Sequence, residues 1–277
     1  MNRLGHLPRI LVFDSGVGGL SILREIQERL PACEFIYASD NAAFPYGTKP
    51  EDELVERVDH VLHQLLKTYA ADIVVVACNT ASTLALPHIR SHFNQPIVGV
   101  VPAIKPAAAR SRSKVIGLLA TPATVARPYT LALIKEYASN CRVISVGSSE
   151  LVLMAEQKLR GINLDHEKLG TILSPFQQDE QLDTLVLACT HFPLLNAELQ
   201  EVLSAGIELV DSGEAIARRV EYLLQEQFGM QQTEIMQSCA TRTQNLAVFT
   251  GQTSEAALLQ EPLRAFGIHQ VQYLGNF

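Results

Sequence analysis

A series of short apolar runs, each closed by a turn signal and followed by a stretch of helical period, constrains this chain most. The runs are ILVF (10–13), EFIYA (34–38), IVVVA (73–77), IVGVV (97–101), VIGLL (115–119), RVISV (142–146), LVLA (185–188) and ELV (208–210). Continuous apolar runs of this length mark strands buried on both faces of a parallel sheet, and the periodic stretches between them mark crossover helices. In 51–70, Leu54, Val55, Val58, Val61, Leu62, Leu65, Leu66 and Tyr69 recur at helical spacing and make one apolar stripe. The alternation predicts an α/β protein whose mainly parallel sheets are flanked by helices. Pro31 closes a helix over 20–30, and Gly161 and Gly170 are expected where later helices end.

The same rhythm occurs twice. Strand starts near 10, 34 and 73 are matched by starts near 115, 142 and 184. The third members, DIVVVACNT (72–80) and DTLVLACTH (183–191), each carry an Asp six residues before a Cys, and Cys78 and Cys189 stand 111 residues apart. A period that long is not a solenoid repeat. It predicts two pseudo-symmetric lobes with the active site in the cleft between them, and at about 150 residues per domain a chain of 277 residues accommodates two. The segment 94–114, with three prolines, is the expected first crossing and 205–212 the return. The first lobe is then discontinuous, 1–98 plus 210–277, and the second is 99–209.

Composition excludes several classes. Hydrophobic residues make up 47% and charged residues 18%, which suits a sizeable core and not a disordered chain. The net charge of −7 and the lack of a Lys/Arg cluster argue against nucleic acid as a partner. No run approaches the about 20 apolar residues of a membrane span, and MNRLGHLPRILVF lacks the apolar stretch of a signal peptide. With about nine residues before the first strand, an N-terminal regulatory appendage is expected to be absent or very short. The five cysteines, Cys33, Cys78, Cys141, Cys189 and Cys239, form no CxxC pair, and their odd number argues for a reducing compartment. A cytoplasmic protein that binds neither nucleic acid nor membrane is the expectation.

Ligands of open α/β sheets bind at the carboxyl ends of strands. Here those ends read Asp14-Ser15-Gly16, Ser39-Asp40-Asn41, Cys78-Asn79-Thr80, Thr121-Pro122-Ala123-Thr124, Gly147-Ser148-Ser149 and Cys189-Thr190-His191. A lone Cys after an apolar run is ordinarily a small core hydrophobe, but Cys78 and Cys189 are repeat-related and each is followed by polar residues. Cys33, Cys141 and Cys239 lack such surroundings and are expected to be structural or incidental. Two thiols facing one cleft suit a dithiol redox pair, part of a zinc site with His191 and Asp14, or a pair of acid/base groups on opposite faces of a carbon acid. Asp14 and His191 are the candidates for tuning one thiol each, although an Asp after a strand is often an Asx turn or N-cap and a histidine there can be a satisfied half-buried residue. The glycines of DSGVGGLSIL (14–23) miss the GxGxxG spacing, so the helix start they precede suits a small carboxylate as well as a phosphate.

These segments together resemble the glutamate racemases of the aspartate/glutamate racemase superfamily. FDSGVGGLSIL (13–23), DNAAFPYGTK (40–49), VVACNTAST (75–83), ACTHFPLL (188–195) and VDSGEAIA (210–217) carry the resemblance across residues 10–217. The two cysteine segments suit the wider superfamily, including aspartate and hydantoin racemases; the DSG-GG and PYG segments point to glutamate. The resemblance implies a racemase, independent of cofactor and metal, that interconverts L- and D-glutamate and supplies D-glutamate for peptidoglycan. It implies Cys78 and Cys189 as the two bases, Asp14 assisting the first and His191 the second, with Glu156 as an acid near the cleft. It implies that Asp14, Ser15, Pro45, Tyr46, Gly47, Asn79, Thr80, Thr190 and His191 hold the substrate, with further contacts from Thr121 and Thr124. A homodimer and regulation by a cell-wall precursor stand among its implications.

Overall fold

The apolar runs become strands of two wholly parallel sheets in the computed structural model, which describes residues 5–236 and 245–275. The chain divides into two compact units, Met1–Val100 with Gly213–Phe277, and Val101–Ser212.

The first unit holds β1 (Arg9–Asp14), β2 (Glu34–Ser39), β3 (Ile73–Val76), β4 (Ile97–Gly99), β9 (Leu246–Phe249) and β10 (Gln270–Tyr273). Their order is β10-β9-β2-β1-β3-β4, and every neighbouring pair is parallel. The helices α1 (Leu20–Arg29), α2 (Glu51–Thr68), α3 (Asn79–His92) and α10 (Gly213–Phe228) belong to this unit. All four side chains of β3 are fully buried, and the α2 stripe of Leu54, Val58, Val61, Leu62 and Leu65 is buried in one core with Val74 and Val76. Burial of each such side chain favours folding by about 1.5–3 kcal/mol.

The second unit holds β5 (Val115–Ala120), β6 (Arg142–Gly147), β7 (Thr184–Leu187) and β8 (Glu208–Val210), in the order β6-β5-β7-β8. Its helices are α4 (Ile104–Arg110), α5 (Pro122–Ala126), α6 (Pro128–Tyr137), α7 (Glu150–Leu159), α8 (His166–Gln177) and α9 (Asn196–Val202). The first four strands of each unit have the same order, second-first-third-fourth, which is the duplication read from strand spacing. The repeat-related aspartates also act alike. Asp72 Oδ2 accepts the Arg9 N–H at 2.8 Å, and Asp183 Oδ2 accepts those of Arg112 and Ser113 at 2.7 and 2.8 Å. Each carboxylate thus fixes the backbone at or just before the first strand of its unit.

Three local expectations are corrected. RVISV and ELV are not buried on both faces, because β6 and β8 are the two edges of a four-stranded sheet; the side chains of β6 are half-buried or exposed, and in β8 Glu208 is exposed and Leu209 half-buried. The helix over 51–70 stops at Thr68, where Tyr69 turns extended. Gly170 does not end a helix; it lies inside α8, which continues because Leu169, Leu173 and Phe176 are fully buried along it. Gly161, by contrast, follows α7 with φ +77°, the left-handed conformation that favours glycine. An added Cβ at Gly170 meets nothing within 4 Å. Gly170→Ala is therefore expected to stabilise the protein by about 0.5–1 kcal/mol, read as a raised midpoint in urea. Among the described residues no helix is long and apolar enough to cross a membrane.

Candidate active site

In the first unit the chain runs from β1 outward to β2 and then returns to β3 on the other side of β1. The second unit does the same with β5, β6 and β7. Such a reversal opens a crevice at the carboxyl ends of the two inner strands, where open α/β sheets bind ligands. The candidates sit there in both units: Asp14 and Ser15 at the end of β1, Cys78, Asn79 and Thr80 after β3, Thr121 and Thr124 after β5, and Cys189, Thr190 and His191 after β7. Each catalytic-candidate thiol stands two residues beyond its strand, Cys78 after Val76 and Cys189 after Leu187.

In the first unit Cys78 is the N-cap of α3 with extended backbone, so its side chain leaves the strand beside the first free N–H groups of the helix. Its Sγ lies 3.8 Å from Ser15 Oγ, and that hydroxyl reaches Asp14 Oδ1 at 3.3 Å. The same Oδ1 accepts the Gly16 N–H at 3.0 Å. Asp14 therefore makes the Asx turn expected of an Asp after a strand and also ends a polar chain that reaches the thiol. All of this is buried, Cys78 at 6% exposure and Asp14 at 0%. Asn79 is buried as well, and its side-chain oxygen has no hydrogen-bond partner. A buried acceptor without a partner costs about 1–3 kcal/mol, so the carbonyl suits a ligand that brings an N–H.

Gly19 explains part of the glycine-rich segment. A Cβ there would lie 2.9 Å from Asp14 Cβ and 3.1 Å from Ala77 Cβ, so helix α1 approaches β1 too closely for any side chain. Gly19→Ala is expected to cost about 1–3 kcal/mol by overpacking and to lower turnover through the displaced Asp14, as compared by urea melts and activity on the same samples.

The loop after β2 forms two short 3₁₀ turns, Asn41–Ala43 and Tyr46–Thr48, with Pro45 between them in a cis peptide bond. Gly47 lies in the second turn. Tyr46 is buried and its hydroxyl donates to Asp40 Oδ2 at 2.6 Å. Burial and the Asp40 carboxylate hold its phenol well above the usual tyrosine value. The hydroxyl is thus committed to Asp40. Asp40 is the anchor that sequence reasoning passed over. It is fully buried, accepts two hydrogen bonds from Arg57 at 2.9 and 2.7 Å, and accepts Thr250 Oγ1 at 2.6 Å. Asp40 was visible as a strand end; Arg57 among the charges of α2 and Thr250 far along the chain gave no local signal.

In the second unit Cys189, 7% exposed, lies with its Sγ 3.8 Å from His191 Nδ1, and His191 Nε2 is 2.9 Å from Glu156 Oε1 on α7. Burial alone would lower the imidazole pKa, but its hydrogen bonds to Cys189 and to the Glu156 carboxylate outweigh it and hold His191 well above its ordinary value. When protonated, His191 donates through both nitrogens, one to the Glu156 carboxylate and one towards the Cys189 sulfur. Thr121 caps α5, its Oγ1 accepting the Thr124 N–H at 3.3 Å and lying 3.0 Å from Thr124 Oγ1. Thr80 and Thr190 are buried beside the cysteines. Cys33 is a core residue whose thiol burial, and then Asp72, pushes up to about 12, and Cys141 is half-buried. Cys239 lies outside the described residues.

Each unit thus carries, two residues beyond its third strand, a buried thiol with a polar side chain beside it. The model of the Asp/Glu/Hydantoin racemase family matches residues 10–220, and the chain belongs to that family. Its similarity within the family lies with glutamate racemases. It is 54% identical over 217 residues to the glutamate racemase of Vibrio cholerae, covering 78% of this chain and 81% of that one. It is 45% identical over 267 residues to that of Haemophilus ducreyi, covering 96% and 98%. The crystal structure of Escherichia coli glutamate racemase in complex with L-glutamate and the activator UDP-MurNAc-Ala matches with a TM-score of 0.89 at 45% identity, over 97% of this chain and 98% of that one. The chain is an amino-acid racemase, an isomerase of the glutamate racemase group.

Proposed function

We propose that the enzyme interconverts L- and D-glutamate by a two-base mechanism in which Cys78 and Cys189 each serve one face of the α-carbon. One thiolate removes the α-proton while the thiol on the opposite face delivers its own, so the centre inverts and the two sulfurs end with their protonation states exchanged. The observation that carries this reading is the pair of repeat-related cysteines, each at the end of a central strand and each with its own polar partner. Ser15 and Asp14 serve Cys78; His191, held by Glu156, serves Cys189. The carbanionic charge that builds on the substrate carboxylate in the transition state needs fixed donors, which the first N–H groups of α3 and the hydroxyls of Thr80 and Thr190 supply. The partnerless oxygen of Asn79 accepts from the substrate ammonium.

The physiological role that follows is D-glutamate supply for peptidoglycan in the cytoplasm. Because the E. coli neighbour was solved with L-glutamate and UDP-MurNAc-Ala as activator, the same proposal includes activation of this chain by a cell-wall precursor of that kind, read as turnover with and without it. The decisive assay follows the α-proton of L-glutamate by NMR in D₂O. Deuterium incorporation together with loss of optical rotation is the expected result, and turnover of glutamate should far exceed that of aspartate. Binding without exchange, or activity that disappears with a zinc chelator and returns with zinc, would overturn the mechanism.

A further inference from the structure

Two histidines one turn apart on α3, His88 and His92, face Asp59 on α2, well away from Cys78. Ten residues separate Cys78 from His88, about 15 Å along the helix axis. One nitrogen from each imidazole and a carboxylate oxygen of Asp59 all lie within 4.8 Å of one another. His88 Nε2 is 3.1 Å from Asp59 Oδ1, close to the edge of about 3.3 Å that a tetrahedron with bonds of about 2.0–2.1 Å requires. The two imidazole rings stack with centroids 4.1 Å apart and planes 24° from parallel. We propose that Asp59, His88 and His92 form a binding site for a divalent first-row transition ion of the zinc and nickel class, clamping α2 to α3.

Three features of the cluster belong to ligand sites more than to ordinary ion pairs. His92 Nδ1 lies 2.8 Å from the carbonyl of His88; donation there fixes the tautomer that leaves Nε2 with a bare lone pair, the usual outer partnership of a ligating histidine. The second carboxylate oxygen of Asp59 is 3.2 Å from His63 Nδ1, which orients the carboxylate while Oδ1 faces His88. His63 is itself held in place against the Phe93 ring, 4.5 Å between centroids. Two imidazoles and one carboxylate make a mixed nitrogen and oxygen donor set that suits zinc or nickel and not magnesium or calcium, which want oxygen alone. Three protein ligands leave the remaining positions to water. The ion joins the two helices that flank β3 and the Tyr46 loop, so occupancy stabilises the first unit by binding the folded state alone.

The test uses the full chain carrying Cys78→Ser and Cys189→Ser, so that the catalytic thiols do not compete for metal. Zinc titrated calorimetrically is expected to bind once per chain and to raise Tm by at least about 2 °C at saturation, with no shift from magnesium at the same concentration. His88→Ala and His92→Ala, each checked for native circular dichroism, are expected to weaken that binding by more than the about 10–100-fold that loss of an outer hydrogen bond costs. In the chain with both cysteines intact, His92→Ala should keep full racemase activity without zinc. Absence of stoichiometric zinc binding, or binding that both histidine variants leave unchanged, overturns the site.

Discussion

Cys78→Ser and Cys189→Ser each lower kcat/KM for glutamate racemisation by at least about 10²-fold, within the 10²–10⁴-fold range of a lost general acid or base. The change is nearly isosteric at two buried positions, so circular dichroism and urea midpoint stay close to wild type while a hydroxyl that does not ionise near neutral pH replaces a thiol. Two enantiomers have equal free energy, so kcat/KM must fall by the same factor in both directions and cannot by itself tell the two cysteines apart. Isotope exchange can. With Cys189 gone, the Cys78 thiolate still takes the α-proton of the enantiomer it faces and, after exchange with solvent, returns a deuteron to the same face. That enantiomer then incorporates deuterium without inverting, and its mirror image does not. The Cys78 variant should show the opposite selectivity. If both variants label the same enantiomer, or either racemises at the wild-type rate, the two sulfurs do not serve opposite faces.

That these two residues could be singled out at all came from the duplication. A cysteine after VVVA is ordinary core material; two of them, each preceded six residues earlier by an Asp, are not. The structure gives the aspartates a structural reason, since Asp72 and Asp183 both tie down backbone at or just before the first strand of their unit. Strand runs buried on both faces were equally plain, because apolar side chains on every position leave no competing period. The last two strands were not. β9 is a four-residue run whose sheet neighbour β2 lies more than 200 residues earlier in the chain, and β10 is an edge strand with half-exposed and exposed residues in alternation. Nothing local distinguishes QVQY from a loop. Site chemistry divides in the same way. Asp14, Ser15, Asn79 and His191 follow strand ends and could be read from position, whereas Glu156 lies 35 residues before His191, inside α7, and only family resemblance pointed to it. Asp40 anchors the Tyr46 loop through partners 6, 17 and 210 residues away, a convergence created by folding.

Glu156→Gln tests the role of that buried carboxylate in two independent ways. His191 is fully buried, and burial by itself disfavours the imidazolium; the hydrogen bonds to Cys189 and Glu156 reverse the balance and raise its folded pKa above the unfolded value of about 6.5. A raised folded pKa means that the folded state binds the proton more tightly. The resulting stability is present in full below about pH 6.5 and is lost as pH rises through the raised folded value, with a slope of up to about 1.4 kcal/mol per pH unit. Glutamine keeps the shape and can still accept a hydrogen bond, but it removes the charge. In the variant the imidazolium loses its buried counterion, the folded pKa falls towards or below the unfolded one, and the downward slope of unfolding free energy above about pH 6.5 should flatten or disappear. Catalysis should weaken for the same reason, since neutral His191 no longer offers a cation to the sulfur of Cys189. A drop of about tenfold or more in kcat/KM, equal in both directions, is expected at neutral pH, and it should shrink as the pH is lowered and His191 is protonated again. Urea titrations at pH 6, 7.5 and 9, run beside racemisation rates on the same samples, measure both effects. A variant that loses activity while its stability profile still falls with pH as in the wild type would show that Glu156 acts on the reaction by some route other than the charge on His191.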